Sequence, residues 1–171
     1  MSHPRHLPPG HVITYPNRDR ASSRLMRAVV IVVLLLSTLL LLTLTVGGWS
    51  RLEGMLVLNF VWALIYVVIA FYIWRWARGL LPIAASLAVL LLIPAAAAVS
   101  GVGGATWGQR EGIGYAAAHS LFGGAGFGAG LLSLLTWLVI PVQLLLIAVS
   151  VVAFLQGWNI EHEARIDGAR A

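Results

Sequence analysis

Residues 28–46 read AVVIVVLLLSTLLLLTLTV, nineteen positions without a charged side chain, bounded by Arg27 on one side and, after a short Gly-Gly-Trp-Ser turn, by Arg51 on the other. At ~1.5 Å of rise per residue a helix of that length covers about 28 Å, close to the hydrocarbon thickness of a bilayer. The pattern recurs three times. Between Glu53 and Arg75, Arg78 and Arg110, and Glu111 and Glu161 there is no Asp, Glu, Arg, Lys or His except His119. Spans are expected at about 28–46, 55–74, 80–99 and 131–155. The fold class that follows is an all-α integral membrane protein: a four-span antiparallel helix bundle with a Gly-rich outer loop between spans 3 and 4.

Composition agrees. Sixty per cent of the residues are apolar, mean hydropathy is +0.91 and only 10% are charged, against roughly 45–50% apolar residues in soluble domains. A chain of 171 residues fits one membrane domain. The net charge of +5 arises from 11 Arg and no Lys against 6 acids. These arginines are divided among the tails and short loops, a distribution with a membrane explanation, so no nucleic-acid partner is expected. The absence of Cys excludes disulfides, thiol nucleophiles, thiolate zinc and cysteine-ligated clusters.

The arginines set the expected orientation. With the N-terminus inside, the inner segments carry Arg5, Arg18, Arg20, Arg24, Arg27, Arg75, Arg78, Arg165 and Arg170, and the outer ones only Arg51 and Arg110. Both termini are therefore expected in the cytoplasm, in a multi-pass protein of the cell membrane of bacterial inner or plasma membrane type. Trp49 and Trp137 fall near the outer interface and Trp74, Trp76 and Trp158 near the inner one, as amphipathic indoles do. Residues 1–27 hold four of the seven prolines and five arginines without apolar periodicity, which predicts a disordered cytoplasmic tail. It is not a secretory signal, because the apolar run that follows is longer than an h-region and has no small-x-small cleavage site after it. Residues 28–156 then form the transmembrane domain, with an outer loop at 100–130, and 157–171 a second short tail. Arg18, Arg20, Arg24, Arg27, Arg75 and Arg78 are the candidate contacts to anionic lipid.

Eleven of the 18 glycines lie in residues 101–130. A fifth span at about 113–130 is rejected: seven glycines within 112–130 each lower helix stability by roughly 0.8–1 kcal/mol, and a fifth crossing would place Arg165 and Arg170 outside. The run GGAGFG at 123–128 has neither the following Lys-Ser/Thr nor the preceding strand of a phosphate-binding loop. Gly124 with Gly128 and Gly126 with Gly130 fit close helix packing, though a turned loop is the preferred reading. Arg110, Glu111 and His119 form a candidate outer-loop polar site, weighed against a solvated surface pair and an unliganded interfacial histidine. No cofactor or metal is expected: His119 has no intramembrane histidine partner for haem, and His3, His6 and His11 have no carboxylate or thiolate beside them.

Within the spans the polar side chains are neutral, which argues against ion coupling and embedded acid-base catalysis. Counted from the outer ends, Asn59 and Thr136 share one depth, while Tyr66, Ser86 and Gln143 lie near the midplane. Seven-residue steps link Asn59 to Tyr66, Thr136 to Gln143 to Ser150, and Thr38 to Thr45, as in the seam of a left-handed bundle. Tyr66 and Gln143 differ in depth by about one helical rise, so contact between them is expected. Pro94 and Pro141 each free a carbonyl four residues earlier. Asn59, Tyr66, Ser86, Pro94, Thr136, Pro141 and Gln143 are thus the candidate intramembrane packing or cavity residues. The expected function is that of a non-enzymatic accessory or scaffold subunit, partnered by another membrane protein or by further copies of itself. The alternative is an oligomeric channel or facilitator for a small neutral or lipophilic solute, and a membrane enzyme or haem carrier is the lesser alternative.

Overall fold

The computed structural model describes residues 11–52, 56–101, 106–112 and 126–165. In chain order these form strand β1 (His11–Thr14), the single turn α1 (Pro16–Asp19) and the long helix α2 (Ala21–Gly47). Helices α3 (Leu56–Trp74), α4 (Leu81–Ser100), α5 (Trp107–Gly112) and α6 (Ala129–Leu155) follow, then strand β2 (His162–Arg165). Four of these helices, α2, α3, α4 and α6, are long and apolar enough to cross a membrane.

The helix bounds match the expected spans closely except for α2, which begins seven residues early, at Ala21. The added turns, ASSRLMR, contain only helix-compatible residues, and their two arginines project beyond the apolar stretch. Pro94 and Pro141 lie inside continuous helices.

The buried positions of α6 are Leu132, Thr136, Val139, Gln143, Leu146, Ser150 and Ala153. Their steps of four and three residues are the heptad spacing that keeps one face toward a partner helix. Helix α4 repeats the pattern with Leu81, Ala84, Ala88 and Ala95, and its alanines let the backbones of α4 and α6 approach closely. The long helices follow one another laterally as α3, α2, α6, α4: α2 packs along both α3 and α6, α4 packs along α6, and α3 and α4 scarcely touch. The four helices therefore leave a cleft between α3 and α4.

Arginines cap carbonyls at the end of the bundle where α2 begins and where α3 and α6 finish. Arg27 Nη1 donates to Trp74 O at 3.0 Å and Arg78 Nε to Phe154 O at 2.8 Å. Both carbonyls end helices, where positive charge is favoured. At the same end β1 pairs antiparallel with β2, His11 opposite Arg165 and Thr14 opposite His162. Asn17 Nδ2 donates to Gly157 O at 3.1 Å, and Arg18 reaches Trp158 O and Asn159 Oδ1. Trp158 is fully buried and meets Trp76 edge to face at 5.4 Å, with the Arg27 guanidinium 4.1 Å above the Trp76 ring. The expectation of a disordered tail over 1–27 is thus corrected for residues 11–27. That segment has no hydrophobic period because it is held by backbone pairing and by single polar and aromatic contacts with the other end of the chain.

Candidate functional site

A cavity of about 130 Å³ lies in the half of the bundle remote from the chain termini. Leu58, Asn59 and Trp62 of α3 form one wall and Leu90, Leu91, Pro94, Ala95 and Ala98 of α4 the other. Leu41 and Leu44 of α2 and Thr136 and Val139 of α6 close the back. Leu58 and Leu90, at the rim, are about half exposed, so the opening faces sideways along the cleft between α3 and α4.

Leu52 and Trp107 close the cavity at the bundle's end, and both are buried. The Trp107 indole N–H donates to Thr136 Oγ1 at 2.9 Å, and that hydroxyl donates to Leu132 O at 2.7 Å. Gly48 makes room for the ring: a Cβ there would come within 3.1 Å of Trp107 Cζ3. Next to this cap, Phe127 N donates to Gly47 O at 2.7 Å, and Arg51 Nη1 donates to Phe127 O. The two connections are thereby tied across the ends of α2 and α6.

Beneath the cavity three helices meet through polar side chains. Tyr66 Oη donates to Gln143 Oε1 at 3.0 Å, and Gln143 Nε2 donates to Ser37 Oγ at 3.1 Å. Tyr66 and Gln143 are fully buried and Ser37 nearly so. An unpaired amide at such depth costs several kcal/mol in hydrocarbon, so these partners fix the relative register of α3, α6 and α2. None of the three side chains lines the cavity.

Asn59 and Trp62 are less satisfied. The Asn59 amide has no hydrogen-bond partner among the described residues. Trp62 Nε1 is buried beside the Tyr66 hydroxyl and is not presented to the cavity. The two residues are three apart on α3, hence on the same face, and both line the cavity.

Of the candidate intramembrane residues, Asn59, Pro94 and Thr136 come together in the cavity wall, and Tyr66 and Gln143 meet below it. Ser86 joins neither group: it is exposed and its hydroxyl bonds back to Pro82 O at 2.9 Å. Equal depth did not bring it inward, because depth says nothing of the face of the helix. Pro141 is exposed on α6. Arg110 and Glu111 lie on the backbone of α5, and His119 lies outside the described residues. Arg18, Arg27 and Arg78 hold backbone carbonyls, while Arg20, Arg24 and Arg75 keep exposed side chains. Among the described residues no three His, Asp or Glu side chains gather as a metal site.

The sequence reading did not find the roles of Ser37, Trp107 and Leu52. Ser37 was visible as a neutral polar group in span 1, but its neighbour Thr38 stood nearer the seven-residue pattern. Trp107 sits in the Gly-rich loop, where no periodicity marks it. No protein-family model, curated protein or solved structure matches this chain.

Proposed function

We propose that the chain is a non-enzymatic membrane protein that takes a small neutral lipophilic molecule from the bilayer and holds it in the cavity between α3 and α4. The observation that carries this reading is the cavity itself: apolar walls, a side opening toward lipid, and a cap of Trp107 and Leu52 against the aqueous end. Its size suits a ring, since an apolar cavity of ~150 Å³ accommodates benzene. Among the described residues no ionisable side chain lines it, which favours an uncharged occupant. The packed Ser37, Tyr66 and Gln143 layer below supports binding rather than conduction through a single chain.

The nine-to-two arginine bias places both termini in the cytoplasm in this reading, and the cavity in the outer half of the membrane. Arg20, Arg24 and Arg75 then face the acidic headgroups of the inner leaflet. Service as an accessory subunit is the second reading, favoured by α3 and α4, which each pack on a single long helix and leave broad apolar faces uncovered.

Native mass spectrometry of the protein released from lipid nanodiscs separates these readings. A lipophile retained at one per chain, and lost in Ala95→Phe, supports the binding role. A stoichiometric protein partner with no retained small molecule would replace it with the accessory role.

A further inference from the structure

The chemistry of the cavity's occupant can be read from α3. We infer that it is a carbonyl-bearing ring on an aliphatic tail, the chemistry of a membrane quinone, with its ring against Asn59 and Trp62 and its tail along α3. This rests on the binding role proposed above.

Three observations narrow the ligand. First, the Asn59 amide has no hydrogen-bond partner among the described residues although it stands in an apolar wall beside the Trp62 ring. The amide NH₂ supplies two donors, so a ligand with a carbonyl acceptor satisfies a group that lipid tails leave unpaired, while the Trp62 ring offers its aromatic surface. Second, Trp107 and Leu52 close the cavity toward the bundle's end. A molecule that lies wholly beneath that cap carries no charged headgroup, because no ionisable side chain among the described residues lines the cavity to receive one. Third, the face of α3 that carries Leu58 and Trp62 continues at steps of three and four through Ile65, Ile69 and Tyr72. The last three, with Leu64 and Val68, line a separate apolar groove of about 490 Å³ beside Leu80. With the ring at Asn59, the tail would pass around α3 from the cavity to that groove.

The test is a titration of the purified full-length protein, in nanodiscs of a single zwitterionic lipid, with a benzoquinone carrying a decyl chain, read by quenching of tryptophan fluorescence. Saturable quenching at one site per chain is expected. Asn59→Leu should weaken it about tenfold, the loss of one hydrogen bond to the ring, and Ala95→Phe or the milder Ala98→Leu should abolish it by filling the cavity. The same alkyl chain on benzene is titrated as a competitor. If it displaces the quinone with equal affinity and Asn59→Leu changes nothing, the carbonyl assignment is overturned while the lipophile-binding role stands. If quenching never saturates and neither alanine variant alters it, both are overturned.

Discussion

The Tyr66 hydroxyl on α3 donates to the side-chain oxygen of Gln143 on α6 across 3.0 Å, and the amide nitrogen of Gln143 continues to Ser37 on α2 at 3.1 Å. One side chain of α6 therefore ties two other helices. Tyr66→Phe and Gln143→Leu should be non-additive in a double-mutant cycle, coupled by roughly 0.6–1.7 kcal/mol, the range for intramembrane hydrogen bonds. Steric-trap unfolding in bicelles measures this, and strict additivity would show that the bond contributes nothing.

The amino-terminal segment is a structural part of the bundle's end. Thr14, Tyr15, Asn17 and Arg18 all bond to residues 157–162. Deleting residues 1–18 should lower the melting temperature in detergent, and Arg18→Ala alone should cost on the order of 1 kcal/mol, reduced from a buried charged bond by its partial exposure. An unchanged melting temperature on deletion would mean that the ribbon does not hold the end together.

Gly47 is predicted to tolerate no side chain while Phe127 is in place. A Cβ at Gly47 would overlap the Phe127 ring, and the backbone bond from Phe127 N to Gly47 O keeps the two close. Gly47→Ala should destabilise by about 1–3 kcal/mol, and Phe127→Ala in the same chain should recover part of that loss. Equal instability with and without Phe127 would place the cause elsewhere.

The sequence made the four helices legible because lipid imposes a length and forbids charge, and both are visible residue by residue. It also placed Tyr66 opposite Gln143 and Asn59 level with Thr136, because depth along a helix is a count. It could not show which lateral neighbours each helix has. That order, α3, α2, α6, α4, opens the cleft, and it depends on the small Ala84 and Ala88 face of α4 meeting α6. The tail was misread for a related reason: a four-residue strand pairing across some 150 positions leaves no local period, and Arg18, Arg27 and Arg78 look the same in sequence whether they meet lipid or a carbonyl.

Orientation is testable because the chain has no cysteine. Single cysteines at Ser22 and Gln109, both exposed, should differ: Gln109→Cys reacts with an impermeant maleimide in intact cells, and Ser22→Cys only after the membrane is opened. The reverse pattern would invert the orientation and put the cavity in the inner half.

The most direct measurement of the central claim is photolabelling with a small alkyl diazirine partitioned into nanodiscs, with labelled peptides mapped by mass spectrometry. A cavity that receives lipophiles from the bilayer predicts saturable labelling of Asn59, Trp62 and Ala98, abolished by Ala95→Phe, above a non-saturable background on outward residues such as Leu39 and Ile93, both more than 60% exposed. Labelling of Leu39 and Ile93 alone, unchanged in Ala95→Phe, would contradict it.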